Sequence, residues 1–147
     1  PTVAVAGPPD GLSTESVEDW FETAHQVVRS GFCLSCWGRL DVSVTAPAAE
    51  SSRSDPTADY ECRVCDGKWQ TSVASALVSH PRAISFYYDH DIDVADRRPW
   101  ELSLHDAADV SIVSRDPVEV TISVSEDGDT LRFHVDEQLD IVEVTVD

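Results

Sequence analysis

Three features of this chain together predict an α+β fold. Two Cys-x-x-Cys pairs lie twenty-five residues apart, apolar residues at helical spacing flank them on both sides, and a two-residue apolar alternation runs from Trp100 towards the last residue. The pairs are Cys33-Leu34-Ser35-Cys36 and Cys62-Arg63-Val64-Cys65, and each is followed by the same signature, Trp37-Gly38-Arg39 and Asp66-Gly67-Lys68. Two doublets of thiols at this spacing are the ligand pattern of a tetrathiolate zinc site. The expected architecture is a lead strand and amphipathic helix over residues 1–31, a four-cysteine zinc ribbon over 32–71, and short helices with a C-terminal antiparallel β-sheet over 72–147. The three parts are expected to pack as one compact unit.

Each element has a local reason. Residues 3–6 (Val-Ala-Val-Ala) read as a short strand ended by the turn cluster Gly7-Pro8-Pro9-Asp10-Gly11. Over residues 14–30, Val17, Trp20, Phe21, Ala24, Val27 and Val28 recur at helical spacing, with Ser13 as N-cap, Glu15, Glu18 and Asp19 near the positive end, and Gly31 as the stop. Trp20 and Phe21 are expected as core anchors. Within the ribbon, Leu40-Asp41-Val42-Ser43-Val44 alternates as a strand, and the small, polar, proline-bearing stretch 46–57 reads as a flexible hairpin tip.

Residues 72–78 and a second piece started by Pro81 are predicted helical, the latter placing Ile84, Tyr87 and Tyr88 on one face. Beyond it, Trp100, Leu102 and Leu104 alternate, as do Val110 and Ile112, the set Val118 to Val124, Leu131 to Val135, and Ile141 to Val146. Asp127-Gly128-Asp129 marks the tightest hairpin turn. Four or five antiparallel strands are expected, with one apolar and one acidic face.

Cys33, Cys36, Cys62 and Cys65 are the expected metal ligands, and Gly38 and Gly67 are expected to supply the positive φ of a sharp turn after each pair. Four cysteines also allow two disulfides, but no apolar signal segment marks the chain as secreted. A thioredoxin-like site needs one Cys-x-x-Cys at a strand-to-helix junction, not two equivalent copies around a polar hairpin. Catalytic zinc keeps a position open for water, which four thiolates close. The deaminase pattern His-x-Glu is missing, since His80 precedes Pro81-Arg82 and His90 precedes Asp91-Ile92. The expected cofactor is therefore structural Zn²⁺. His25, His80, His90, His105 and His134 are scattered without a nucleophile–base pattern, so no enzyme is expected.

The chain carries 28 Asp and Glu against 10 Lys and Arg, a net charge of −18, and Lys68 is its one lysine. Self-repulsion on this scale opposes compaction in dilute buffer, whereas at molar salt the Debye length falls to about 3 Å and the repulsion is screened. A halophile's cytoplasm is the expected setting. Disorder is the other source of such acidity, but 41% hydrophobic residues with clear periodicity can build a core. No run of eighteen apolar residues and no basic amphipathic helix suggests a membrane role. Residues 89–147 hold 17 acids and 4 bases, which makes that part a poor surface for phosphates.

An ordered motif string extends beyond the cysteines. It runs Cys33-x-x-Cys36-x-Gly38-Arg39, Tyr60-Glu61-Cys62-x-x-Cys65, Ala76-Leu77-Val78-x-His80-Pro81, Phe86-Tyr87-x-Asp89-His90-x-Ile92-Asp93, Trp100-Glu101-Leu102 and Ser114-x-Asp116-Pro117. The string resembles the C-terminal region of transcriptional regulators of halophilic archaea that carry an ArsR-like winged helix-turn-helix at the N-terminus. The resemblance covers the chain from about Pro8 to its last residue. It implies a regulator's effector or dimerisation domain, a homodimer, and contact with DNA only through an N-terminal domain. Two departures stand out. The winged helix has no counterpart before Pro1, which implies a fragment or a stand-alone derivative, and Asp91 stands where such proteins carry glycine.

Two functions follow. In the first, a zinc-ribbon regulatory module senses a small-molecule effector or binds a protein partner, with Trp37, Trp69, Phe86, Tyr87, Tyr88 and Trp100 as candidate ligand-binding aromatics; core packing is their other use. In the second, a stand-alone ribbon binds nucleic acid through Arg39, Arg63 and Lys68 near the knuckles. Three bases on a chain of this charge are a weak electrostatic footprint.

Overall fold

The computed structural model describes residues 11, 13–48 and 55–147. The expected lead strand at 3–6, the turn cluster at 7–10 and the middle of the hairpin tip, 49–54, lie outside the described residues. The α+β expectation holds: helices combine with a three-stranded sheet that bears the cysteine knuckles and a four-stranded antiparallel sheet. The chain divides into two compact units, one built from the residues up to 42 with 59–70, the other from 43–58 with 71–147. The strands of the smaller sheet, β1 (Leu40–Thr45), β2 (Thr57–Cys62) and β3 (Lys68–Ser72), are shared between the two, in the order β1-β2-β3.

In the first unit, helix α1 (Thr14–Arg29) starts where the Ser13 side chain accepts the Ser16 N–H and places Glu15 in its first turn and Arg29 in its last. That arrangement satisfies an orphan donor and suits the helix dipole. The helix stops at Ser30, and Gly31 follows at φ 83°, the left-handed conformation common after a C-cap. Ala24 and Val28 are its buried residues, so the buried stripe is narrower than the apolar pattern suggests. Phe21 is 44% exposed and Trp20 half-buried, so neither is the expected core anchor. The two rings stack edge to face on each other, centroids 5.0 Å apart. From β3 the half-buried Trp69 ring meets His25 of α1 edge-on at 5.6 Å.

The second unit holds the main core. Helix α2 (Val73–Ala76) is capped by Ser72. Helix α3 (Pro81–Asp89) has Pro81 in its first turn and the His80 ring accepting the Arg82 N–H at 3.2 Å. Its buried face is Ala83, Phe86 and Tyr87, whereas Ile84 and Tyr88 face solvent, Tyr88 at 73% exposure. The three-then-four step from Ala83 to Phe86 and Tyr87 defines the inward stripe, so the expected grouping of Ile84 with Tyr87 and Tyr88 is corrected. Asp91 takes φ 58° just after the helix, the position where a left-handed residue ends it.

The alternation Trp100, Leu102, Leu104 is not a strand. Pro99–Glu101 forms a 3₁₀ turn and Ser103–Asp106 a short helix, α4. Pro99 presets a helical φ, and the Glu101 carboxylate captures the Arg98 N–H at 2.7 Å, closing the turn. Three alternating residues are too few to outweigh this local chemistry.

Strands β4 (Asp109–Arg115), β5 (Val118–Glu126), β6 (Asp129–Val135) and β7 (Ile141–Val146) pair in sequence order, all antiparallel. The register sets Val120 against Val135, Ile122 against Phe133 and Val124 against Leu131. All six are buried, together with Leu102 and Leu104 and the inner residues of α2 and α3. Asp127 and Gly128 close the β5–β6 hairpin at φ 48° and 101°, the two positive angles that a two-residue type I′ turn requires. The opposite face of β5 and β6 carries Glu119, Thr121, Ser123, Ser125, Thr130, Arg132 and His134. It is rich in hydroxyls instead of acids, because over residues 109–147 most of the acidic residues stand in turns and at strand ends.

The His90 ring ties α3 to the β5–β6 turn. Its Nδ1 lies 2.7 Å from the Phe86 carbonyl oxygen and its Nε2 lies 3.2 Å from Asp129. The Phe86 carbonyl, then Asp129 and Asp127, raise the imidazole pKa above its usual value, against the opposing effect of burial. A raised folded-state pKa stabilises the protein fully below the ordinary imidazole value of about 6.5, and that contribution is lost as pH rises through the raised value. NMR titration is expected to place His90 above the ordinary value, and Asp129→Asn to lower it. Titration of His90 at or below the ordinary value would contradict the pairing.

Candidate metal centre

The two knuckles are copies of one another at the backbone level. Cys33 N–H donates to Gly38 O at 2.8 Å, and Cys62 N–H donates to Gly67 O at 2.8 Å. Each loop is thereby closed five residues after it opens, with both of its cysteines inside the turn. The knuckles are joined by the Arg63 N–H, which donates to Arg39 O at 3.0 Å.

This folding brings the four sulfurs together, all within 4.8 Å of one another, the one such group of potential ligands among the described residues. Cys33 Sγ lies 3.6 Å from Cys65 Sγ, and Cys36 Sγ lies 3.5 Å from Cys62 Sγ. Zinc–sulfur bonds of about 2.3 Å at tetrahedral angles place sulfurs about 3.8 Å apart, so the cage matches a single tetrahedral ion. The first cysteine of each pair, Cys33 and Cys62, is buried, and the second, Cys36 and Cys65, is exposed. The N–H groups of Ser35, Gly38 and Val64 point at Cys33, Cys36 and Cys62 sulfurs, each at 3.4 Å. Donors aimed at sulfur favour thiolate, the form that binds metal.

Without a cation the four sulfurs cannot all ionise. Burial pushes the Cys33 thiol up, but the backbone donors of Cys36 and Ser35 and the neighbouring thiols outweigh it and bring the group down to about 7. At Cys65 the Gly67 N–H lowers the pKa, while Cys36, Cys33, burial and Cys62 drive it up to about 12. A bound divalent ion removes this conflict by neutralising the cluster, so binding releases protons.

The glycines play a different part from the one expected. Positive φ falls one residue earlier, on Trp37 at 60° and Asp66 at 57°, and neither Gly38 nor Gly67 is left-handed. The glycines are required for space. A Cβ on Gly38 would stand 2.8 Å from Val64 Cγ2 and 3.1 Å from Cys62 Sγ, and one on Gly67 would stand 3.3 Å from Cys65 Sγ and 3.4 Å from Cys33 Sγ. Each knuckle's glycine therefore clears room for the first cysteine of the other knuckle. The cost of a left-handed non-glycine residue, of order 1–2 kcal/mol, is borne by the preceding position.

The three bases near the knuckles are engaged. Arg63 binds the Asp41 carboxylate through Nε at 2.8 Å and through Nη2, which holds that carboxyl below its usual range. Lys68 Nζ lies 3.0 Å from Glu61, and the Arg39 guanidinium sits 4.8 Å above the centre of the Phe32 ring.

The six candidate aromatics are divided between the units. In the first, Trp37 is 67% exposed beside Cys36, and Trp69 lines a pocket of about 20 Å³ together with Val28, Cys33 and Leu40, space for one water. In the second, Phe86 and Tyr87 are core residues with centroids 5.9 Å apart, Tyr88 faces solvent, and Trp100 is half-buried under the Arg98 guanidinium. Tyr87 also lines a polar cavity with Arg97, Asp106 and Glu126, residues that no sequence motif announces because they come from separate elements.

A family described as a domain of unknown function, DUF7351, matches residues 1–141, so the chain belongs to that family. No curated protein and no solved structure matches the chain.

Proposed function

We propose that this member of the DUF7351 family is the zinc-binding regulatory domain of a haloarchaeal transcriptional regulator of the ArsR-like class. Its ribbon is closed by one structural Zn²⁺ on Cys33, Cys36, Cys62 and Cys65. The observation that carries the metal assignment is the convergence of four sulfurs from two equivalent knuckles. Four sulfur ligands leave no position for water, so the ion serves folding and not catalysis. The regulatory and haloarchaeal parts of the reading are supported by the ordered motif string and by the net charge of −18. On this reading the chain works in the cytoplasm, senses an effector or binds a protein partner, in a homodimer, and DNA is contacted by a separate winged-helix domain. Among the described residues no helix is long and apolar enough to cross a membrane.

The competing reading, a ribbon that grips nucleic acid through its knuckles, needs bases free to meet phosphates. Arg63, Lys68 and Arg39 are instead held by Asp41, Glu61 and the Phe32 ring. An electrophoretic mobility assay discriminates the two. The 147-residue chain is expected to leave DNA and RNA unretarded at low salt. Retardation that weakens on joint Arg39→Ala and Lys68→Ala substitution, with a salt slope smaller by up to about 2, would favour the nucleic-acid reading.

A further inference from the structure

The second unit contains a solvent-open cavity of about 260 Å³ that the metal centre does not use, with Arg97, Glu101 and Asp106 at exposed positions on its wall. At about 30 Å³ of liquid per molecule it corresponds to roughly nine waters, too large for a bare ion and near the lower end of small-molecule pockets. Its charged lining is three carboxylates, Glu101, Asp106 and Glu126, and one guanidinium, Arg97. Ile92 and Leu102 supply apolar wall.

The polar groups are held in place from several elements. Tyr87 is fully buried, and its hydroxyl accepts the Leu104 N–H at 2.7 Å and meets Ser103 Oγ at 3.1 Å. Ser103 in turn donates to Glu126, and Glu101 accepts the Arg98 N–H. Burial first, and then the charges of Glu126 and Asp106, raise the Tyr87 phenol above its usual value, against the opposing hydrogen bonds of Ser103 and Leu104. Glu126 and Glu101 retain acceptor capacity, since an ionised carboxylate offers about four lone-pair sites. The Asp106 carboxylate and the Arg97 guanidinium line the same cavity without a hydrogen bond or ion pair to one another. The carboxylates do not converge on a point, because the four thiols form the one such group among the described residues. Their arrangement suits an extended organic cation and not a metal. A lining with three negative groups and one positive group matches a ligand with two ammonium groups and one carboxylate.

We propose that this cavity binds a small diamino carboxylic acid, with its ammonium groups on Asp106, Glu126 and Glu101 and its carboxylate on Arg97. The proposal gives the effector-sensing reading a ligand class and rests on that reading only for its biological purpose. Binding is measured on this chain alone without DNA, so the cavity can pass the test although the chain regulates nothing, and fail it although the chain is a regulator.

The test is isothermal titration calorimetry with L-ornithine as probe, at the lowest KCl at which circular dichroism shows the chain folded. L-glutamate and 1,4-diaminobutane are titrated in parallel. Saturable one-to-one binding of L-ornithine is expected, with no comparable binding of L-glutamate. Arg97→Gln should weaken L-ornithine about tenfold and leave 1,4-diaminobutane unchanged, and Asp106→Asn should weaken both about tenfold. Both replacements are at exposed positions, and Asp106→Asn is isosteric, so the fold survives to be assayed. The proposal is overturned by no saturable heat with L-ornithine, by L-glutamate binding equally well, by 1,4-diaminobutane binding more tightly than L-ornithine, or by an Arg97→Gln variant with unchanged L-ornithine affinity.

Discussion

Replacing Cys62 with serine is expected to release the bound metal and unfold the first unit while the second stays folded. Among its described residues the first unit has little else to hold it: the buried hydrophobic side chains there are Ala24, Val28, Tyr60 and the two inner cysteines. So small an apolar interior cannot offset the backbone entropy of ordering two knuckles and a helix. A structural zinc site contributes about 10–16 kcal/mol of apparent binding free energy at neutral pH, all of it available to folding when the apo chain has no preformed site. Cys62 is one of the two buried ligands, and its sulfur also receives the Val64 N–H, so serine loses both the ligand and the turn that the ligand organises. Hydrogen exchange followed by mass spectrometry should show protection lost over α1 and the knuckles and retained over β5 and β6. Chelation of the unmodified protein should give the same map. Retained protection at the knuckles in the variant would show that the thiol cage folds without its ion.

The second large effect is expected in the other unit. Phe133→Ala should destabilise it by about 3–5 kcal/mol, the usual cost of deleting a large buried aromatic and leaving a cavity. Phe133 is fully buried at the centre of β6, opposite Ile122 on β5 and Val144 on β7, with the His80 ring edge-on at 5.2 Å. Since domains are stable by only about 5–15 kcal/mol, the variant should lose a large share of its stability. Val142→Ala on the exposed side of β7 is the comparison, expected to stay within about 0.5 kcal/mol. Urea denaturation monitored at β-sheet wavelengths measures both. Equal midpoints for the two variants would place the core elsewhere.

What was legible in the sequence follows the range of the interactions involved. The ligand set was readable because four sulfurs of one type at fixed spacing have few other uses. The Ser13 cap, the helix start at Pro81 and the Asp127-Gly128 turn were readable because each depends on residues within one turn of chain. The inward face of α3 was misread: Ile84 and Phe86 are both apolar, and only packing against the sheet selects Phe86. Trp100, Leu102 and Leu104 mimic a strand over too few residues, and proline chemistry next to them decides the matter. The glycines of the knuckles were located correctly but given the wrong reason. A Cβ on Gly38 would clash with Val64 and Cys62 of the opposite knuckle, and one on Gly67 would crowd Cys33 of the opposite knuckle as well as its own Cys65; no local pattern contains the contacts across the knuckles. The same applies to the polar cavity, assembled from residues 87 to 126 with no common motif.

The most direct test of the account is the metal itself. Elemental analysis of protein purified without added metal, joined to X-ray absorption at the zinc edge, should find about one zinc per chain with four sulfur neighbours near 2.3 Å. Protein free of metal, with Cys33, Cys36, Cys62 and Cys65 paired in two disulfides, would contradict it.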